Sequence, residues 1–181
     1  MIAAVVVLVA LMAWALRGAS TNLEPGGPAP AFEAETFDGE AIGTESVHGK
    51  TVVLNFWASW CVECRREAAA LEHLWQDYRD RNVVVLGIDW TDTERDARKY
   101  VADWHITYPV AADVAGRIGR AYHVTGVPET AIIGPDGRLV PIPSAGGSPL
   151  PKLVGPIVEG GQLDEIGMRA LLDHLPGANV N

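Results

Sequence analysis

An apolar run at Thr51–Trp57, with the sequence TVVLNFW, sets the fold class of this 181-residue chain. A half-exposed strand alternates apolar and polar residues, whereas this run is nearly continuous and rich in β-branched residues. It therefore predicts a central strand buried on both faces. From Cys64 to Arg79, apolar side chains recur at spacings of three and four, which predicts a helix. A second buried strand at Val83–Ile88 completes a strand–helix–strand unit with a right-handed crossover.

The flanking patterns extend this unit into an α/β fold with a mixed central sheet flanked by helices. Asp38-Gly39 is a strong turn signal, and it predicts an N-terminal β-hairpin between Ala31–Glu35 and Glu40–Gly43. The segment Pro143–Pro151 is rich in proline and glycine and predicts a loop. The other predicted elements are helices at Thr93–Trp104, Asp113–Tyr122 and Asp164–Leu175, a hairpin of Thr130–Ile133 with Arg138–Ile142, and an edge strand at Leu153–Val158.

The N-terminal residues carry a separate signal. Met1–Leu16 is uncharged and apolar, and as a helix it would rise about 24 Å, short of a hydrocarbon core of about 30 Å. A signal anchor over residues 1–19 that stays in the membrane is the preferred interpretation; a cleaved signal peptide and a buried core helix are the alternatives. Residues 20–31 are rich in proline and glycine and predict a linker. Residues 32–181 then form one domain outside the cytoplasm.

The charge balance excludes one class of partner. The chain has 14 Lys and Arg residues against 23 Asp and Glu residues, which gives a net charge of −9. Nucleic-acid binding requires clustered basic residues that neutralise phosphates, and this chain has no basic stretch. We therefore expect no nucleic-acid partner.

Cys61 and Cys64 are the only cysteines in the chain. At this spacing, two cysteines either hold half of a metal site or form a reversible disulfide. No further cysteine completes a thiolate site, so redox chemistry is favoured, and we expect neither a metal nor an organic cofactor. A Cu(I) carrier is the metal-binding alternative, since soft thiolates select that ion. A static structural disulfide is disfavoured, because so small a loop gains little stability from closure.

The helix start gives the two cysteines different expected roles. A cysteine there lies near the positive end of the helix dipole, which favours the thiolate. Cys61 is therefore the expected exposed, attacking sulfur, and Cys64 the shielded, resolving sulfur. Glu63 between them disfavours the thiolate, which predicts a reducing couple. Arg65 and Arg66 act in the opposite sense unless they face solvent.

Two further pairs of residues each have two competing interpretations. Trp60 precedes Cys61, and its flat ring is expected to contact substrate, whereas Trp57 in the strand is expected to lie in the core. Asp89 and Asp92 follow the second strand and resemble part of a metal site. A strand end and a helix cap explain these two carboxylates better.

The segment at residues 55–65, NFWASWCVECR, resembles the thioredoxin superfamily. More narrowly, it is similar to the TlpA-like membrane-anchored thiol–disulfide reductases, which include the cytochrome c maturation reductases. The stretch PAPAF at residues 28–32, Asp38-Gly39, and YHVTGVPET at residues 122–130 agree with this family. The resemblance implies a thioredoxin-like fold, in which the N-terminal hairpin is an extension and Val85–His123 contains a central strand–helix insert.

The resemblance also implies roles for the segment around Pro128. This proline is expected to be cis and to face the cysteine pair. The backbone of Val127 is then expected to hydrogen-bond to an extended substrate chain. Glu129 is expected to lie near the active site and to relay a proton to or from Cys64.

Among the departures from the family pattern, those at Glu63 and Asn55 bear on the chemistry. Many relatives have a proline just before the second cysteine, where this chain has Glu63. Asn55 stands where thioredoxins proper keep a buried aspartate, so that proton acceptor is missing. Glu129 or Glu63 is therefore the expected substitute.

The resulting prediction is an extracytoplasmic, membrane-tethered thiol–disulfide oxidoreductase that acts as a reductant. The resemblance implies protein disulfides as substrates, with apocytochrome c and its C-x-x-C-H haem site among them. It also implies a membrane electron donor that restores the dithiol. A general periplasmic thiol reductase and a reductant for copper-centre assembly are the alternatives, and we expect a monomer.

Overall fold

A computed structural model describes residues 23–113, 115–144, 146–159, 161 and 163–176. The predicted anchor, residues 1–19, lies outside the described residues. Within the described part, no helix is long and apolar enough to cross a membrane. The elements are β1 (Glu33–Glu35), β2 (Ala41–Gly43), β3 (Thr51–Trp57), α1 (Val62–Tyr78), β4 (Val83–Trp90), α2 (Glu94–Asp103), β5 (Val110–Asp113), α3 (Arg117–Ala121), β6 (Glu129–Ile133), β7 (Leu153–Val154) and α4 (Glu165–Asp173).

The predicted central strand lies in the middle of a mixed five-stranded sheet. The strand order is β5-β4-β3-β6-β7, with β3, β4 and β5 parallel and with β6 and β7 antiparallel to their neighbours. All seven residues of β3 are buried, as its continuous apolar pattern predicts. Strands β1 and β2 form the predicted antiparallel hairpin around Asp38-Gly39.

Each face of the sheet packs against its own hydrophobic core. One core contains Leu71 and Leu74 of α1, Tyr100 of α2 and Met168 of α4, together with both cysteines. We call this side of the sheet the cysteine face. The opposite core contains Phe32, Phe56 and Tyr122, with the rings of Phe56 and Tyr122 centred 5.6 Å apart. Because side chains alternate along a strand, odd-numbered residues of β3 point to the cysteine face and even-numbered ones to the other core.

The helix predicted over Asp113–Tyr122 is wrong in its first half. Val110–Asp113 pairs with β4 as a parallel strand, and only Arg117–Ala121 is helical. The Asp113 carboxylate accepts a hydrogen bond from the Gly119 N–H at 2.8 Å, which holds the short helix against the end of β5. Tertiary pairing with β4 thus overrides the local helical pattern.

One predicted strand is absent from the structure and another is shorter than predicted. The segment Arg138–Ile142 makes isolated bridges with its neighbours instead of a strand, and Pro141 within it has no N–H to donate to a ladder. The edge strand predicted at Leu153–Val158 ends at Val154. Gly155 follows with a φ of 106°, a left-handed conformation that ends the extended backbone.

Part of the predicted linker is attached to the domain. The Gly26 N–H donates to the carbonyl of Leu139 at 2.8 Å, and the Ala29 N–H donates to the carbonyl of Gly137 at 3.0 Å. The Arg138 guanidinium donates to the carbonyl of Gly26 at 2.7 Å. Residues 26–29, within the segment predicted as a linker, therefore lie along the turn at residues 137–139.

Candidate active site

Cys61 and Cys64 form a disulfide at the start of α1, as the predicted helix start requires. Cys61 is the N-cap residue, and its Sγ accepts a hydrogen bond from the Cys64 N–H at 3.0 Å. After reduction, this N–H and the helix dipole both stabilise negative charge on the Cys61 sulfur. Cys61 is 5% exposed and Cys64 is 1% exposed. The expected contrast in exposure therefore exists, although it is small in the oxidised protein.

Two large apolar side chains beside the disulfide face solvent. Trp60 is 55% exposed and Val62 is 65% exposed. Trp57, by contrast, is buried in the core, as predicted. The position of Trp60 next to Cys61 leaves its ring available to a partner, and the substrate contact expected of it stays a prediction.

The segment before β6 faces the disulfide. The Val127–Pro128 peptide bond is cis, as the family resemblance implies. The carbonyl oxygen of Val127 lies 3.5 Å from Cys61 Sγ. The carbonyl of Pro128 accepts a hydrogen bond from the Gly155 N–H at 3.0 Å. The segment therefore contacts both the disulfide and the residue that ends β7.

Glu67 is a buried acid of the cysteine face, and sequence reasoning did not single it out. It lies on α1, three residues after Cys64, and is only 1% exposed. The Asn55 side-chain amide donates to Glu67 Oε1 and the Ile157 N–H donates to Oε2, each at 2.8 Å. The Asn55 amide also donates to the Thr130 hydroxyl at 3.0 Å. Asn55, at the position where thioredoxins proper keep an aspartate, thus holds an acid that comes from the helix instead.

The environment of Glu67 suits it to proton transfer at neutral pH. Burial raises the pKa of its carboxyl to about 7, although the hydrogen bonds from Ile157 and Asn55 act in the opposite direction. The Tyr100 hydroxyl donates to the carbonyl of Cys64 at 2.9 Å, which fixes the helical turn between Cys64 and Glu67. Residues three apart share a helix face, so this carboxyl lies on the side of α1 that carries the Cys64 sulfur.

Replacing Glu67 with Gln is expected to flatten the pH dependence of stability. The folded protein keeps the Glu67 proton up to about pH 7, whereas the unfolded chain releases it near pH 4.5. The free energy of unfolding therefore falls as pH rises between these values, by up to about 1.4 kcal/mol per pH unit for one proton. Glutamine has no such proton, so this component disappears. Urea unfolding of the oxidised protein at several pH values in this window measures the slope.

Glu63→Gln is the matched control for that experiment. Glu63 lies on the same helix but is about half exposed, so its replacement should leave the slope unchanged. The comparison isolates the buried position, because both variants remove one carboxyl from α1. A wild-type slope in Glu67→Gln would show that this carboxyl is already ionised in the folded protein below pH 7.

Glu129 lies on the opposite side of the sheet from the sulfur atoms. In the register of β3 with β6, Asn55 pairs with Thr130, and their side chains meet on the cysteine face. The neighbouring Glu129 therefore points to the other core. Its carboxylate accepts hydrogen bonds from the Thr125 N–H and hydroxyl, at 3.1 and 3.0 Å, and pairs with Lys152. This placement does not support the proton relay to Cys64 that the resemblance implies.

Glu63 and the two arginines after the cysteines lie at the surface. Glu63 forms a salt bridge of 2.7 Å with Arg66, and both side chains are about half exposed. The Arg65 guanidinium donates to the carbonyl of Ser59 at 3.1 Å. Exposed charges that are paired and screened by water act weakly at a distance. Glu63 is therefore a weaker influence on the thiolate than the sequence alone suggests.

The alternative of a metal carrier depends on free thiolates. In the structure, the two sulfur atoms are joined in the disulfide. Across the residues that the structure describes, no group of three or more His, Cys, Asp or Glu side chains is arranged to hold a metal ion. Metal binding would therefore rest on the two thiolates of the reduced protein.

Comparisons with known proteins agree with a dithiol–disulfide site. Residues 25–142 match the family model described as the AhpC/TSA family. The chain belongs to the AhpC/TSA family. The thiol-disulfide oxidoreductase ResA of Bacillus thuringiensis subsp. konkukian is 30% identical over 119 residues, which cover 66% of this chain and 69% of that protein. The thioredoxin-like protein YneN of Bacillus subtilis is 34% identical over 119 residues, with coverage of 64% and 69%.

The solved structure of another thiol–disulfide protein supports the assignment of the fold. A thiol:disulfide interchange protein from Chlorobium tepidum TLS, described as a thioredoxin family protein, superposes with a TM-score of 0.65 at 26% identity. The superposition covers 83% of this chain and 99% of that one. This AhpC/TSA family member therefore has the predicted thioredoxin-like fold. It is a thiol–disulfide oxidoreductase with the pair Cys61–Cys64, and its relatives imply protein substrates.

Proposed function

We propose that this oxidoreductase works as a reductant of protein disulfides. The observation that carries the proposal is the buried acid Glu67 on the cysteine face, beside a redox pair whose helix turn has its arginines at the surface. A carboxylate near a thiolate raises the pKa of the thiol. A less stable thiolate favours the disulfide form of the protein, and a protein that prefers its own disulfide is a reductant.

In the proposed reaction, the Cys61 thiolate attacks one sulfur of a substrate disulfide and displaces the other sulfur as a thiolate. The Cys64 thiolate then attacks Cys61 Sγ in the mixed disulfide and displaces the second substrate sulfur. Glu67 accepts the proton that Cys64 loses, and the displaced substrate thiolates are protonated from solvent. The substrate gains two electrons, the protein is left with the Cys61–Cys64 disulfide, and an external dithiol donor restores the two thiols.

The proposed substrate surface surrounds the disulfide. It consists of the exposed side chains of Trp60 and Val62 and the backbone of Val127 and Pro128, to which an extended chain can hydrogen-bond. Glu129 contributes from the other side of the sheet, where it ties the residues before the cis peptide to Lys152. Its proposed role is therefore to hold the segment in place.

The proposed working place is outside the cytoplasm, with residues 1–19 as the membrane anchor. The support is the uncharged apolar sequence of that segment and the persistence of disulfide couples in oxidising compartments. Apocytochrome c is the proposed substrate, since the resemblance extends to the cytochrome c maturation reductases. A membrane electron donor is the proposed source of the two electrons.

The equilibrium potential of the Cys61–Cys64 couple tests the proposed direction of electron flow. A reductant is expected to have a potential at or below that of thioredoxin, about −270 mV. Titration in redox buffers, followed by the tryptophan fluorescence, measures it. A potential near that of a strong oxidant, about −120 mV, would show that the protein donates its disulfide instead.

The same preparation separates the finer parts of the proposal. A disulfide-bonded peptide with the C-x-x-C-H sequence should be reduced faster than one with its histidine moved outside the motif. Equal rates would indicate a general thiol reductase.

Fractionation of cells that make the chain with and without residues 1–19 tests the proposed anchor. Only the longer form should appear in the membrane fraction.

A further inference from the structure

The turn that leads into Cys61 is held through the backbone of Ser59. The Ser59 N–H donates to Asp92 Oδ2 at 2.6 Å, and the Ser59 carbonyl accepts from the Arg65 guanidinium at 3.1 Å. The Cys61 N–H closes the turn on the carbonyl of Ala58 at 3.1 Å. Asp92 lies in the loop after β4, so its carboxylate ties the cysteine turn to the neighbouring strand of the sheet.

Asp89, three residues before Asp92, is a buried carboxyl with no N–H or O–H donor. It is 1% exposed, and no N–H or O–H group among the described residues donates to either carboxyl oxygen. In the sheet it pairs with Trp57 of β3, whose side chain packs on the cysteine face. A carboxylate ion in such a place is costly, because burial removes its hydration without a compensating donor. Asp89 is therefore expected to hold a proton, and that proton needs an acceptor.

The groups around Asp89 leave Asp92 as that acceptor. Trp57 on β3 and Ala112 on β5 flank Asp89 in the sheet, and both are uncharged. From α2, the ring of Tyr100 stacks on Trp57 with centroids 4.5 Å apart, and burial raises the pKa of its phenol, which stays neutral. Burial, together with the charge of Asp92 and a hydrogen bond between the two side chains, raises the pKa of Asp89 to about 7.

The charged side chains of α1 and α2 near this turn have other partners. The Lys99 ammonium pairs with Asp103, and the Asp96 carboxylate accepts a hydrogen bond from the Thr93 hydroxyl. A groove lies next to the turn, and the Arg65 guanidinium, which donates to the Ser59 carbonyl, is on its wall. The charged residues of that groove are Arg65, Asp96, Lys99 and Asp103.

We propose that Asp89 and Asp92 share one proton and together position the turn that leads into Cys61. Asp89 donates the proton to Asp92, which steadies the Asp92 carboxylate while its Oδ2 holds the Ser59 N–H. When the proton leaves, the two carboxylates repel each other and the turn loses this support. Neither acid contacts a sulfur atom, so both are positioning residues. The inference requires thiol–disulfide exchange and does not depend on its direction.

Asp92→Ala is expected to slow the reaction of the reduced full-length protein with oxidised glutathione about tenfold near pH 6.5, because Ser59 loses its charged acceptor. Stopped-flow tryptophan fluorescence measures the rate. Asp80→Asn is the matched control, since Asp80 is an exposed carboxylate just after α1. An Asp92→Ala rate equal to that of the control overturns the proposal.

Replacements of Asp89 test the shared proton. Asp89→Leu offers no proton to Asp92, and the same rate is expected to fall about fivefold. Asp89→Asn should recover most of this loss, because its amide N–H donates in place of the acid. The wild-type rate, corrected for the thiolate fraction, should bend near pH 7, where Asp89 ionises. The part of the bend that belongs to Asp89 should be absent from Asp89→Asn, and an undiminished bend there overturns the proposal.

Infrared difference spectra detect a protonated carboxyl directly and do not require an activity measurement. The wild-type spectrum alone can test the proposal, even where a variant fails to fold. The oxidised wild-type protein is expected to show a carboxylic-acid C=O band near pH 6 that disappears above about pH 8. The part of the band that is lost in Asp89→Asn belongs to Asp89, and the part lost in Glu67→Gln belongs to the other buried acid. A wild-type spectrum without such a band, or a band unchanged in Asp89→Asn, overturns the proposal.

Discussion

Cys61→Ser is expected to abolish turnover, whereas Cys64→Ser is expected to stop the reaction at its midpoint. A serine hydroxyl does not replace a thiolate, and loss of a covalent nucleophile costs roughly a thousandfold or more in rate. In Cys64→Ser the first attack proceeds, because the backbone N–H of residue 64 and the helix terminus still stabilise the Cys61 thiolate. The mixed disulfide then lacks a resolving thiol and accumulates.

Mass spectrometry distinguishes the two variants after each is mixed with a disulfide-bonded peptide. Cys64→Ser should gain the mass of one peptide thiol at Cys61, and Cys61→Ser is the matched control that should gain none. The assignment rests on the place of Cys61 as N-cap, its contact with the Val127 carbonyl and its slightly greater exposure. A stable adduct on Cys64 in the control would reverse the roles of the two cysteines.

The central part of the fold could be predicted because its patterns are long and unambiguous. Thr51–Trp57 has the predicted bounds, and the helix after it differs from the prediction by two residues at its start and one at its end. The second helix begins at Glu94, one residue after its predicted start, and its N-cap Thr93 accepts a hydrogen bond from the Asp96 N–H. These features depend on local patterns and on burial, which a sequence expresses directly.

The peripheral elements could not be predicted, because their form depends on partners that are distant in sequence. Val110–Asp113 is a strand because β4 offers it an unpaired edge. Residues 26–29 are attached because the turn at residues 137–139 supplies donors and acceptors for their backbone. Neither partner can be identified from a short window of sequence, so local patterns predicted a longer helix and did not predict the contacts of the linker.

The sequence and the structure favour different acids near the sulfur atoms for a related reason. Glu129 follows the cis proline, and the family resemblance implied its role as the proton relay. The pairing of Asn55 with Thr130, however, turns Glu129 to the opposite core. Glu67 had a readable signal, because it occupies the same helix face as Cys64 and Leu71, where an apolar side chain is expected. An acid in that position indicates a buried, specifically bonded group.

The cysteine face carries two buried acids whose pKa is raised, Glu67 on α1 and Asp89 on β4. Both pKa values are about 7, so both groups change charge where the thiols react at neutral pH. Their proposed routes to the chemistry differ: Glu67 exchanges a proton with Cys64, whereas Asp89 acts on the turn before Cys61. The Glu67→Gln variant should therefore change the step resolved by Cys64, and the Asp89→Asn variant the attack by Cys61, although both effects fall near pH 7.

Trp57→Ala is expected to lower the free energy of unfolding by about 3–5 kcal/mol, the usual cost of deleting a large buried ring. The Trp57 side chain is 1% exposed and stacks on Tyr100. Its Nε1 also lies 2.8 Å from where a Cβ would stand on Gly87, so the ring packs directly against the backbone of β4. Such a loss is a large part of the roughly 5–15 kcal/mol that holds a typical domain folded. Urea unfolding of the oxidised protein, followed by circular dichroism, measures it.

Trp60→Ala is the matched comparison, because it deletes the same ring three residues away. Trp60 is more than half exposed, so its loss should change the unfolding free energy by no more than about 0.5 kcal/mol. It should instead slow the reaction with a disulfide-bonded protein more than the reaction with oxidised glutathione, since only the larger substrate reaches the ring. Equal losses of stability in the two variants would contradict the burial difference. Equal slowing of both substrates by Trp60→Ala would remove its role in substrate contact.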